Sequence, residues 1–181
     1  MRQEKEMLFF AALAFVIVGF TTSVINEAIG AIAGGLSNGY FPPLDPLLPR
    51  VGDSYGSGYF GASRDGGRRK HMGQDYLSSP GQSVFSPVSG IVKKVGPAYA
   101  SGESGWLKMV TIETSFGAKV NIMYVLPWAV EVGQKVTRGQ LLGNAQDLTK
   151  KYPGIKNHIH LEVLMFGLHV DPVDFFKIKT A

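Results

Sequence analysis

The sequence predicts a mainly β domain, a compact antiparallel sheet or sandwich, preceded by one membrane-spanning helix. Three observations carry this. From residue 64 onward, short β-prone runs alternate with Gly and Pro, and no long amphipathic helical period appears among them. Residues 7–25 hold no charged side chain at all. Between these regions lies a stretch rich in Gly, Pro and Ser, the composition of a connector.

The elements follow in chain order. Residues 1–6 form a short inner tail carrying Arg2 and Lys5. Residues 7–25 (MLFFAALAFVIVGFTTSVI) span about 28 Å as a helix, close to the thickness of one hydrocarbon core, and show no polar stripe. After them no Lys or Arg occurs until Arg50, which places the N-terminus inside and the rest on the non-cytoplasmic side. A second reading of this start is a cleaved signal peptide, since Ala31-Ile32-Ala33 has the small-x-small form that a signal peptidase accepts. Either reading sends the remainder across or onto a membrane.

Residues 26–63 read as a tether, with Pro42-Pro43, Pro46, Pro49 and Gly-Ser steps, partly packed because Leu44, Leu47, Leu48, Tyr55, Tyr59 and Phe60 are too apolar for a free linker. Residues 64–181 form the β domain. Its predicted strands include residues 84–85, 90–92, 109–113, 119–124, 140–142 and 158–164. One or two helical turns are expected within residues 145–152, and a closing turn at Asp171-Pro172. His169, beside Gly167, reads as a surface turn residue.

Composition narrows the chemistry. The 181 residues contain no cysteine, which excludes disulfides, thiolate metal sites and a cysteine-linked lipid anchor. The net charge of +4 is mild, and no nucleic-acid-binding motif accompanies it. Any metal must be held by His, Asp or Glu.

Three of the four histidines fall in two patterns with metal-site spacing. In His71-Met72-Gly73-Gln74-Asp75, an imidazole and a carboxylate four residues apart can converge on one ion if Gly73 lets the chain bend. In His158-Ile159-His160-Leu161-Glu162-Val163, the period of a strand puts both histidines and Glu162 on one face and the apolar residues on the other. One of the two histidines can ligate while its neighbour reaches the open coordination position. Three ligands with a fourth position left to water define a catalytic zinc site rather than a structural one.

These motifs stand in an ordered series. Gly61-Ala62-Ser63-Arg64 and His71 to Tyr76 come first, then Pro80-Gly81-Gln82-Ser83-Val84 and Ser86-Pro87-Val88-Ser89-Gly90-Ile91-Val92. Val132-Gly133-Gln134-Lys135-Val136 and Arg138-Gly139-Gln140-Leu141-Leu142-Gly143 follow, and His158 to Val163 and Val170-Asp171-Pro172 close the series. The set resembles the lysostaphin-type M23 zinc metallopeptidases over about residues 61–175. The resemblance implies a β-sheet endopeptidase that cuts peptides of bacterial peptidoglycan. It assigns His71, Asp75 and His160 to zinc, His158 to the water or the transition-state oxyanion, and Arg64 to the loop or the substrate.

One position departs from the family pattern. Where the family has Tyr-x-His-Leu, this chain reads Tyr124-Val125-Leu126-Pro127, and leucine neither moves a proton nor donates a hydrogen bond. Together with Lys151-Tyr152-Pro153-Gly154-Ile155, this makes the chain most similar to the leukocyte-derived chemotaxin branch. Tyr124 is then the candidate oxyanion donor. Two functions follow: a membrane-anchored zinc endopeptidase of the cell wall, or a catalytically impaired zinc-bound module that binds cell wall or a protein partner. A bacterial envelope and the membrane of a membrane-containing bacteriophage virion both suit the first.

Overall fold

The computed structural model describes residues 40–99 and 105–176. The membrane helix expected over residues 7–25 lies outside the described residues. Among the described residues no helix is long and apolar enough to cross a membrane.

Fourteen strands occur among the described residues, most of them short. Two ribbons come first: β1 (Gly52–Asp53) with β2 (Gly56–Ser57), and β3 (Ser63–Arg64) with β4 (Arg69–Lys70). β5 (Gln74–Leu77), β6 (Ser83–Phe85), β7 (Gly90–Pro97), β8 (Lys108–Glu113) and β9 (Lys119–Met123) follow. Then come β10 (Val125–Leu126), β11 (Lys135–Val136), β12 (Leu141–Ala145), β13 (His158–Met165) and β14 (Leu168–Val170). A single α-helix, α1 (Pro172–Phe176), closes the described chain, with the Asp171 carboxylate accepting from the Val173 amide at 2.8 Å.

The seven-stranded sheet runs β11-β7-β8-β9-β13-β14, with β5 added beside the first half of β13. The second sheet is β10-β12-β6. Every pairing is antiparallel, which matches the predicted class. The core lies between the sheets. Val92, Val110, Ile112, Val120, Ile122, Ile159, Leu161 and Val163 from the large sheet meet Val84, Val125 and Leu142 from the small one, all fully buried. Strand alternation then leaves the opposite face of the large sheet to His158, His160, Glu162, Asn121 and Thr111.

One local feature differs from the expectation. His169 sits on β14 opposite Leu164, because Phe166 and Gly167 both take positive φ (52° and 81°) and close a tight two-residue hairpin. Packing also reaches back to residue 40. Leu44 is fully buried, Leu77 donates its amide to the Leu48 carbonyl, and the Arg50 amide donates to the Asp75 carbonyl. Residues 48–50 therefore line the free edge of β5, which would otherwise expose unpaired backbone groups. The helical turn expected near residue 148 is the 3-10 turn Leu148–Lys150, capped by Asp147.

Candidate metal centre

Antiparallel register puts His160 of β13 directly opposite Asp75 of β5, as cross-strand neighbours. His71 enters from the segment just before β5. Its own amide donates to the Ala62 carbonyl and its carbonyl accepts from Gly61, both at 2.8 Å. Gly73 lies between His71 and Asp75, and its φ is not in the left-handed region. It is needed for a different reason than bending: a Cβ there would sit 2.4 Å from the Leu161 carbonyl oxygen and 2.7 Å from His160 Nε2. The missing side chain lets this segment close onto β13.

The three side chains meet. His160 Nδ1 is 2.8 Å from Asp75 Oδ1 and 3.0 Å from His71 Nε2, and His71 Nε2 is 3.3 Å from Asp75 Oδ1. All three are buried, and together they can hold a metal ion.

Hydrogen bonds on the far side of each ring fix which nitrogen carries the proton. His71 Nδ1 faces the Tyr59 carbonyl at 2.9 Å, and a carbonyl only accepts, so Nδ1 is protonated and the Nε2 lone pair points inward. His160 Nε2 faces the Glu162 carboxylate at 3.1 Å, which leaves the Nδ1 lone pair inward. Two imidazole lone pairs and a carboxylate oxygen thus converge on one point. That arrangement repels itself unless a cation or a proton lies among them. Ligand atoms held at zinc-like distances in a tetrahedral site are about 3.4 Å apart, so the triangle opens by only a few tenths of an ångström, about 0.1 to 0.6 Å, to accept such an ion.

The electrostatics agree. Burial acts to raise the Asp75 carboxyl, but hydrogen bonds from His160 and His71 outweigh it and hold the group far below the usual carboxylate range. Burial acts to lower the His160 imidazole, but its bonds to Asp75 and Glu162 win and raise it to about 9. In the metal-free chain a proton on His160 therefore takes the cation's place.

Asp75 uses only one oxygen for the centre. Its Oδ2 accepts from Arg50 Nη1 at 3.0 Å, and Arg50 is 2 % exposed, with its other side bonded to Asp53. This buried pair orients the carboxylate and leaves Oδ1 free. His158 stands beside the triad. Its Nδ1 donates to the Lys156 carbonyl at 2.7 Å, which turns the Nε2 lone pair toward the centre, 3.6 Å from Asp75 Oδ2. Burial outweighs the pull of Asp75 and lowers the His158 imidazole, so it stays neutral.

The centre opens into a cleft of about 460 Å³. Arg64 is in its wall, with Nη2 donating to the Ser57 carbonyl and Nη1 to the Ser63 carbonyl. Tyr124 takes a left-handed φ of 66°, where the chain leaves β9 for β10 in the other sheet. That kink aims its ring edge-on at His158, with 5.5 Å between centroids. Its hydroxyl pairs with that of Tyr99 at 2.5 Å, and burial raises both phenols, so they remain protonated donors. Leu126 falls on the small sheet and is 52 % exposed, outside the cleft lining.

Every predicted site residue therefore borders one cleft: His71, Asp75, His158, His160, Tyr124 and Arg64. Sequence reasoning missed Arg50 and Tyr99. Arg50 is 25 residues from Asp75 in a Pro-rich stretch, and Tyr99 follows a strand end, so neither carries a motif or period. The first signal available for Arg50 was its position as an isolated cation within apolar residues.

Comparison with known proteins adds a family and a fold. The model of peptidase family M23 matches residues 69–172. Leukocyte cell-derived chemotaxin-2 of Mus musculus is 34% identical over 144 residues, covering 78% of this chain and 91% of its own. Myeloid protein 1 of Gallus gallus is 32% identical over 111 residues, covering 61% of this chain, and this chain spans only 33% of that relative's length. Lysostaphin from Staphylococcus simulans superposes with a TM-score of 0.56 at 21% identity, over 78% of this chain and 55% of its own. A zinc containing peptidase from Vibrio cholerae gives 0.51 at 24% identity, over 78% and 40%. The two structural likenesses show that the fold is shared.

Proposed function

Because the chain belongs to peptidase family M23, we propose that it is a membrane-anchored zinc metalloendopeptidase that hydrolyses peptide bonds of bacterial peptidoglycan. One observation carries the reading. A neutral base, His158 Nε2, faces the same open cleft as a three-ligand set of two imidazoles and a carboxylate. A cysteine-free N,N,O set suits zinc, and His71, Asp75 and His160 would hold it. When bound, zinc supplies a Lewis acid for the scissile carbonyl and for activating water.

The chain's own residues do the rest. His158 accepts a proton from the attacking water and returns it to the leaving amine, a role that its lowered basicity and fixed tautomer favour. The Tyr124–Tyr99 pair supplies a phenolic O–H on the cleft wall, and such a donor to an oxyanion is typically worth about 10²–10³ in rate. Arg64, fixed in the cleft wall by two carbonyls, places a cation where it can contact the peptide. The charge-free run of residues 7–25 supports anchoring in a lipid bilayer, with the domain on the non-cytoplasmic side of a bacterial envelope or a membrane-containing virion.

The test is digestion of purified peptidoglycan by the zinc-loaded full chain, with detection of new amines. Release that disappears in His160→Ala supports the proposal, and no release at full zinc occupancy rejects it. Leu126 favours a second reading, a zinc-bound module that binds wall or a protein partner without cutting. Zinc-dependent binding of the full chain to purified peptidoglycan, with no amine release, supports that second reading.

A further inference from the structure

The cleft of the metal centre continues into a second groove of about 710 Å³ across the same sheet face, and Tyr99, Met123 and Glu162 line both. Register lays out its floor. One row of cross-strand neighbours runs Met109, Met123, His160, Asp75. The next row runs Lys94, Thr111, Asn121, Glu162.

A β-bulge decides what this groove presents. On β7, Val92 pairs with Ile112 and Lys94 with Thr111, so Lys93 is an extra residue with no partner of its own. In a regular pleat two adjacent lysines point to opposite faces, and one of them would enter the core. Here Val92 fills the core, alternation resumes at Val95, and Lys93 and Lys94 both line the groove. Lys119 joins them from β9. None of the three ammonium groups has an ion-pair partner among the described residues, although Glu113 also lines the groove. The groove carries three lysines against two carboxylates, Glu113 opposite Lys119 and Glu162 already bonded to Asn121 and His160. Such a concave surface, continuing from the reacting centre, favours an anion on the substrate.

We propose that this groove is the subsite that reads a carboxylate of an extended acidic peptide. With about 4.8 Å between strands and about 3.4 Å per residue, the Lys94 backbone is roughly 16 Å from that of His160. That distance is about four to five residues of extended chain. The peptide lies across the strands, with its reacting carbonyl over His71, Asp75 and His160 and a carboxylate held among Lys93, Lys94 and Lys119. The inference rests on the peptidase reading for the placement of the peptide, and its test reads binding rather than cleavage.

The probe is a fluorophore-labelled peptidoglycan stem pentapeptide, L-Ala-γ-D-Glu-L-Lys-D-Ala-D-Ala, compared with the same peptide carrying carboxamides in place of both carboxylates. Anisotropy is measured on the full chain, zinc-loaded and chelated. The free acid is expected to bind about tenfold more tightly than the diamide, the sum of a few partly solvated ion contacts, with a preference that shrinks as salt is added. Replacing Lys93, Lys94 and Lys119 together by Gln is expected to abolish the preference while metal content and thermal unfolding stay unchanged. Equal affinity for the two peptides, no measurable binding of either, or a preference that survives the triple replacement overturns the inference. Preference without wall cleavage sinks the peptidase reading and keeps the groove, and cleavage without preference does the reverse.

Discussion

The metal centre is assembled from two kinds of structure. His160 and Asp75 come from paired strands, where register alone makes them neighbours. His71, Tyr124 and Arg64 come from turns and strand ends, where each position is held by specific bonds: the Ala62 and Tyr59 carbonyls for His71, the Tyr99 hydroxyl for Tyr124, the Ser57 and Ser63 carbonyls for Arg64. The strand half needs correct pairing and little else. The turn half depends on groups far away in sequence, so it is the half that single substitutions outside the ligand set can disturb.

The largest expected effect breaks the strand half outright. His160→Ala leaves two ligands, and zinc content measured by elemental analysis should fall to near zero, with wall-digesting activity lost. Next is Arg50→Ala, which leaves Asp75 buried without its cation and Asp53 with only its backbone donors. A cost of about 3–5 kcal/mol in urea unfolding is expected, because breaking a buried pair strands the remaining charge. Zinc affinity in a competition titration should fall with it by roughly 10–100-fold, the usual effect of losing a group that orients a ligand.

Gly73→Ala tests the seam between the halves. Its new Cβ collides with backbone at Leu161, so the two segments must part, at a cost of about 1–3 kcal/mol in thermal or urea unfolding. Retention of full stability and zinc affinity would show that the close approach is dispensable.

The smallest expected effect comes from Glu162→Gln, which keeps a hydrogen-bond acceptor for His160 but removes the charge, lowering zinc affinity by about tenfold. The same variant has a pH signature in the metal-free chain. His160 is raised from its ordinary 6.5 to about 9, so its contribution to stability is complete below 6.5 and is lost as pH climbs through about 9. Asp75 is lowered from its ordinary 3.8, so its contribution is complete above that value and fades as pH falls. The His160 and Asp75 contributions are therefore both complete between those ordinary values, about pH 4 to 6.5, and the lowered His158 imidazole works against stability below its ordinary 6.5, while zinc affinity rises with pH as His160 sheds its proton. In Glu162→Gln the alkaline limb, followed by unfolding at each pH, should move to lower pH.

The strand half was legible in the sequence because it has a period. His158, His160 and Glu162 alternate with Ile159, Leu161 and Val163, and a period of two puts them on one face in any antiparallel sheet. Asp75 and His71 were legible through their spacing. The supporting groups were not, for a physical reason: Arg50 meets Asp75 through chain added to a sheet edge, and such pairing has no sequence period to mark it. The carbonyls of Tyr59 and Lys156 are backbone atoms, so no residue type announces them. Leu126 was visible as a substitution, but its exposure away from the cleft depends on the left-handed turn at Tyr124, which only the fold reveals.

Edge addition by residues 48–50 also bears on where this domain can be cut. Motifs and strands suggest a start at residue 64, and a chain trimmed there would retain all three ligands. It would lose the guanidinium that holds Asp75 and the Tyr59 carbonyl that holds His71. Such a fragment would carry the complete ligand signature and yet present it loosely, so the smallest piece that reproduces the centre begins at or before Leu44, the buried residue that fastens this edge to the core.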